Sequence, residues 1–239
     1  MPNDRNYVFL HGLGLSHTIW SPLVPLVKGN MISPDLLGHG SSPIGGYSFE
    51  SLWDFLRDEL IPLDWDKTSL IMHSMSAALL PEVLNSKIRP RSICLIEGNL
   101  TGEDSHWSRQ ICQKSPAAYE SWLARLRANS GMVLGMQLST SHNKDDLVFW
   151  SSGFKQVDES ALRQIAEQLV LRSKSGEILS AIKEIDSPTT YLRGAKSGSW
   201  TEGTLLLAKI GVPVIEIPNA GHYPMIDNPS ATWESISSQ

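Results

Sequence analysis

The stretch Ser69-Leu-Ile-Met-His-Ser-Met-Ser-Ala-Ala78 joins a short apolar run to a run of small residues and leucines suited to a helix, and Ser74 falls at the junction. A strand that passes abruptly into a helix lifts the side chain at the turn above the sheet, with backbone N–H groups of the new helix beside it. A hydroxyl held there can attack an electrophilic carbon while those amides stabilise the resulting oxyanion. Read alone, the same serine serves as a cap for the following helix. A base for it is available in His222, which lies in Asn219-Ala-Gly-His-Tyr-Pro-Met-Ile-Asp-Asn-Pro229, a loop punctuated by glycine and proline after an apolar run. Metal chemistry has no such support: the seven histidines include no i,i+4 or HxH pair, so no metal site is expected. Cys94 and Cys112 stand outside any CxxC or His/Cys cluster and read as two buried thiols.

The elements that must position these side chains follow from periodicity. Apolar runs at Tyr7 to Leu10, Met31 to Ser33, Ser69 to His73, Ser92 to Ile96, Thr189 to Arg193 and Val214 to Ile217 scarcely alternate, as expected of strands covered on both faces. Helix-period segments separate them, among them Ser48 to Leu60 and Ser76 to Leu84. The pattern predicts an α/β fold with a mostly parallel, doubly wound sheet whose carboxyl ends share one edge. Between about Gly102 and Ile185 the strand pattern lapses. Ser115-Pro116 opens one helix there and Asp158 caps another, so residues 103–185 are predicted to be an inserted helical cap on a core of residues 1–102 and 186–239. Charge agrees with that boundary, because residues 103–185 carry ten acidic and ten basic side chains, leaving the whole net charge of −5 to the core. An insertion at this edge is expected to act as a lid over the ligand site.

Several of these landmarks resemble the alpha/beta-hydrolase superfamily, in its capped, serine-nucleophile, esterase- or thioesterase-like branch. Met72-His73-Ser74-Met75-Ser76 is similar to the G-x-S-x-G elbow, with Met72 and Ser76 where the family has glycine. His11-Gly12-Leu13-Gly14 resembles the turn that completes the oxyanion hole, which implies donation by the Leu13 and Met75 amides. Ser33 to Ser42 resembles the D-x-x-G-x-G-x-S turn, giving Asp35 and His39 structural roles, and His222 takes the place of the catalytic base. The usual acid after the fifth predicted strand is missing, since Gly194-Ala-Lys-Ser197 ends in serine. Some groups, haloalkane dehalogenases among them, carry the acid after the preceding strand, where this chain has Glu97-Gly98-Asn99. The resemblance therefore implies a Ser74–Glu97–His222 triad. Asp186 precedes its strand and lies at the wrong edge; Asp227 reads as a cap for the terminal helix near Pro229. His73, adjacent to the serine across the turn, is expected to point away from it.

What this implies is a serine hydrolase cleaving a small carboxylic ester or acyl thioester through an acyl-enzyme, without a cofactor. Two alternatives stay open: a carbon–carbon bond hydrolase or carrier-bound methyl esterase of the same fold, and a non-catalytic ligand-binding homologue. Trp107, Trp122 and Trp150, with Phe149, suggest an apolar substrate pocket in the cap or a small core of its own, and His106 stands ready to line it. The basic residues are scattered and the pI is near 5.8, which argues against nucleic acid as a partner; a small molecule, with a carrier protein in some readings, is expected instead. No apolar run reaches the ~18 residues of a membrane span, and the polar lead before Tyr7 does not resemble a signal peptide, so a cytoplasmic protein is expected. The same short lead leaves no room for the two strands the family often places first, which predicts a trimmed sheet.

Overall fold

The apolar runs form six strands in the computed structural model, which describes residues 4–198 and 200–239. They are β1 (Asn6–Leu10), β2 (Asn30–Ile32), β3 (Thr68–His73), β4 (Ser92–Ile96), β5 (Thr189–Gly194) and β6 (Val214–Ile217). One sheet results, in the order β2-β1-β3-β4-β5-β6, with every neighbouring pair parallel. Every position of β3 and β4 is buried, which explains their unbroken apolar sequence; β2 and β6, at the edges, are only partly covered. The chain runs outward from β1 to β2 and then crosses back to lay β3 on the other side of β1. Such a reversal opens a crevice beyond the carboxyl ends of the two central strands, because their connections leave on opposite faces. His11 follows β1 and Ser74 follows β3, so both fall at that crevice.

Local chemistry sets the helices. Ser48 caps α1 (Phe49–Leu60) by accepting from the Ser51 amide, and Phe49, Leu52, Trp53, Leu56 and Leu60 form its buried stripe. After Ser74 the chain winds as a 3-10 helix to Leu79 before α2 (Leu80–Asn85) begins, rather than as the regular helix predicted over Ser76 to Leu84. Pro81 accounts for this: it lacks an N–H and its ring clashes with the carbonyl four residues back, so a continuous α-helix through Ala77 is excluded.

Between β4 and β5 the described residues form only helices: α3 (His106–Cys112), α4 (Pro116–Ala128), α5 (Ser130–Gly135), α6 (Lys144–Trp150), α7 (Ser152–Gln156), α8 (Glu159–Ser175) and α9 (Glu177–Glu184). Ser115 and Asp158 cap α4 and α8 through their side chains, and Gly176, at φ +82°, turns α8 into α9. The end of this segment is fastened to the sheet layer: α9 packs on α2, and Arg172 of α8 lies 2.6 Å from Glu82 of α2. The chain closes with α10 (Glu202–Lys209), α11 (Pro224–Asp227) and α12 (Pro229–Ser237). Asn228, not Asp227, caps α12, accepting from the Ala231 amide. Pro229 is the first helical residue, so the cap position falls one residue later than expected, which frees Asp227 for other partners. Cys94 and Cys112 are free thiols, and burial pushes the first up to about 12. No helix among the described residues is long and apolar enough to cross a membrane.

Candidate active site

Ser74 takes a φ of +54°, in the left-handed region that costs a non-glycine residue about 1–2 kcal/mol. Neighbouring bonds over-determine it. The Ser76 hydroxyl lies 2.9 Å from both the Leu10 and His73 carbonyls, and the Asn99 amide donates to the Ser74 carbonyl at 3.1 Å. Met72, standing where the resembling motif has glycine, is wholly buried in the core. Space is instead conceded by Gly12, where a Cβ would sit 3.0 Å from His73 Nδ1 and 3.1 Å from Ser74 Cβ. The Ser74 hydroxyl donates to Asn99 Oδ1 across 3.4 Å. Sequence reasoning assigned Asn99 no role, although it stands two residues beyond the candidate acid.

The turn after β1 is fixed by a neutral histidine. His11 Nε2 accepts from the Leu36 amide at 3.1 Å, so Nδ1 carries the proton and donates to the Gly12 carbonyl at 2.9 Å. Burial lowers its pKa to about 4. Asp35 accepts from the amides of His17 (2.7 Å) and Ser41 (2.9 Å) and so braces its loop. Burial raises its carboxyl, but those bonds and the nearby His11 outweigh burial and hold it below the usual carboxylate range. His39, pushed down to about 3 by burial and then by His11, donates to the Leu37 carbonyl. Neither Asp35 nor His39 opens on the cavity beside Ser74.

Glu97, the first residue beyond β4, also has a left-handed backbone, at φ +48°. Its Oε1 accepts from the Gly194 amide at the end of β5 (2.6 Å), and its Oε2 lies 3.5 Å from His222 Nδ1. The carboxylate is 11% exposed and the imidazole 41%, so the pair is shielded on one side and open on the other. Beneath it, His73 Nε2–H donates to the His222 carbonyl at 3.0 Å. Burial, and then the nearby His222, hold His73 well below the usual histidine range, so it supports the loop as a neutral donor. Asp186 is exposed ahead of β5, at the opposite edge of the sheet.

Ser74 and His222 both open on a cavity of about 260 Å³. Its apolar wall is Leu13, Leu15, Trp107, Phe154 and Leu169, and its polar points include Asn99, Asp104, His106 and Gln137. Of the three tryptophans named from sequence, only Trp107 reaches it. Trp122 packs on Trp107 with ring centroids 5.9 Å apart, and Trp150 donates to Ser21 Oγ at 2.8 Å, outside the lining. Met75 is buried in the core and Phe149 is half exposed at the surface. Among the described residues, no hydrogen bond joins Ser74 to His222, and no group of three or more His, Cys, Asp or Glu side chains has the arrangement of a metal site.

The strained serine follows β3, the carboxylate follows β4 and the histidine lies in the loop after β6, all toward the carboxyl edge of the sheet, and comparison with known proteins identifies the family. The profile of the alpha/beta hydrolase family matches residues 7–234. The chain belongs to that family, and hydrolysis is the reaction class that membership supports. Its fold is similar to an esterase from Exiguobacterium antarcticum (TM-score 0.80, 15% identity, 100% of this chain and 92% of that one). It is also similar to a haloalkane dehalogenase loop variant from Bradyrhizobium elkanii (TM-score 0.76, 19% identity, 100% and 89%). A thioesterase domain from the curacin biosynthetic pathway gives a TM-score of 0.74 at 19% identity, covering 100% and 93%. In sequence, 76 residues are 32% identical to an uncharacterized protein of Mycobacterium tuberculosis, over 30% of this chain and 22% of that protein's length.

Proposed function

We propose that the protein is a serine hydrolase that cleaves a small carboxylic ester or thioester through an acyl-enzyme. The observation that carries this reading is that His222 opens on the same cavity as the strained Ser74 while Glu97 Oε2, outside that cavity, lies 3.5 Å from its Nδ1. In the proposed cycle Ser74 Oγ attacks the acyl carbon and His222 takes its proton. Glu97 faces Nδ1 and stabilises the imidazolium, and the Leu13 and Met75 amides receive the oxyanion. His222 then returns the proton to the leaving alcohol or thiol. A water activated by the same histidine releases the acid and regenerates the serine. No cofactor enters this cycle. The helical segment over the cavity acts as a lid, and the five apolar wall residues favour an uncharged acyl group short enough for about 260 Å³.

The test is labelling by a fluorophosphonate together with turnover of p-nitrophenyl esters and acyl thioesters of graded chain length. Wild type labels and turns over; Ser74→Ala does neither while keeping its unfolding midpoint. Labelling that survives in Ser74→Ala rejects this serine. The bond from Ser74 to Asn99 instead of His222 favours a second reading, a ligand binder with an inert serine, and a wild-type protein that fails to label would establish that one.

A further inference from the structure

Asp227 is buried, lies outside the triad, and caps nothing. Its carboxylate is nevertheless fully engaged. Oδ1 accepts from the amides of Ser139 (2.8 Å) and Thr140 (3.0 Å) and from the Thr140 hydroxyl (2.7 Å). Oδ2 accepts from the amide of Gly221 at 2.9 Å. One oxygen therefore holds the loop between α5 and α6, and the other holds the residue immediately before His222. The Thr140 hydroxyl has one proton, given to the carboxylate, so His142 Nε2, 2.7 Å away, donates to it in turn.

Two further features join the same segments. A Cβ on Gly221 would lie 2.8 Å from Ser139 Oγ and 3.5 Å from the Gln137 carbonyl, so the two loops approach closely there. The Tyr223 hydroxyl donates to Gln137 Oε1 at 3.0 Å. Residues 137–140 thus grip the histidine loop on both sides of His222, whose own side chain reaches across to Glu97.

We propose that Asp227 is a positioning residue that couples the seating of residues 137–140 in the helical segment to the placement of His222. When that loop is seated, four hydrogen bonds to one carboxylate hold Gly221, and with it the imidazole, in line with Glu97. When the loop lifts, Oδ1 loses its three donors, and the histidine loop loses the support that fixes its geometry. Turnover by an open, unseated enzyme is thereby suppressed. The inference rests on the serine-hydrolase reading for its catalytic consequence, but the coupling itself has a readout that does not.

The experiment uses the full chain and three variants: Thr140→Val, Asp227→Asn and the double variant. Misplacing a catalytic group by an ångström or less costs up to ~10²-fold, so Asp227→Asn is expected to lower kcat by roughly that factor with KM little changed. Thr140→Val, which removes one hydroxyl from a partly exposed loop, is expected to lower kcat by about 3- to 10-fold without moving the unfolding midpoint. In the double variant the two losses do not multiply, because Thr140 acts through Asp227. Independently of any substrate, Thr140→Val should speed amide hydrogen exchange at Gly221 and His222. Wild-type exchange at these amides overturns the coupling, and so does wild-type kcat in a Thr140→Val protein that labels normally. Should Asp227→Asn fail to fold, Thr140→Val alone decides. A wild-type protein that neither labels nor turns over esters, yet shows the exchange change, retains the coupling and removes the hydrolase reading instead.

Discussion

The turns after β3 and β4 differ from the turn after β5, although all three strands end at the same sheet edge. The first two place a non-glycine residue in the left-handed region, Ser74 at φ +54° and Glu97 at φ +48°, and the Asn99 amide ties one turn to the other. The third turns through Gly194 to an exposed Ser197, with no left-handed residue other than glycine. Holding a serine and a glutamate in such a conformation costs about 1–2 kcal/mol each, and it persists only where surrounding contacts over-determine it. The cost falls on the two turns whose side chains face His222 or its cavity. The β5 turn contributes a backbone amide: Gly194 N–H holds the carboxylate of Glu97, the acid of the proposed triad.

The most damaging way to break this contrast is Glu97→Gln. An amide presents the wrong hydrogen-bond partner to a protonated imidazole, so kcat for ester hydrolysis is expected to fall by ~10³-fold or more with the fold intact. Near wild-type turnover would mean that the strained β4 turn does not supply the acid. Adding Ser197→Asp to Glu97→Gln moves the carboxylate to the relaxed turn. Ser197 borders the same cleft as Glu97 and His222, and roughly a tenfold recovery of kcat is expected. No recovery would show that the β5 turn, lacking the backbone that aims Glu97, cannot aim a carboxylate either.

A smaller effect concerns stability. His11 and His39 are neutral in the fold, with pKa values of about 4 and about 3, whereas an unfolded chain protonates near 6.5. The unfolded state therefore binds more protons below that value, and stability present near neutrality is lost as pH falls from about 6.5 toward 4. The loss for His11 alone is on the order of 3 kcal/mol, measurable by urea unfolding across that window. A flat profile would mean that these turn histidines do not stay neutral. The smallest effect is expected from Asp186→Asn, whose side chain is exposed at the far edge: kcat within about twofold of wild type.

Much of this was legible in the chain itself. β4 and β6 occupy the residues read from apolar runs, and Ser115 and Asp158 cap the helices they were expected to cap. Such signals are local, and local backbone chemistry decides them. Ser74 and His222 stood out as candidates because each sits in a punctuated turn beside a strand, and both open on one cavity. Asp227 was misread as a cap because its real partners, Ser139, Thr140 and Gly221, include two from a segment 87 and 88 residues away. Trp122 and Trp150 were indistinguishable from Trp107 by type, and only the packing of α3, α4 and α6 decides which of the three faces the cavity. Asn99 carried a signal that went unused, its place in the Glu-Gly-Asn turn.

The sheet's two outer strands have a consequence for how copies of the protein meet. An uncovered strand edge is a row of unpaired N–H and C=O groups, the template on which chains stack into aggregates. β2 presents only three residues to such an encounter. β6 presents four, flanked by Pro213 and Pro218, which bring no N–H, and it carries Glu216, held by Arg193 of the neighbouring strand. Short length at one rim, and prolines with a charge at the other, are the features by which a sheet opposes pairing with the strand edge of another molecule.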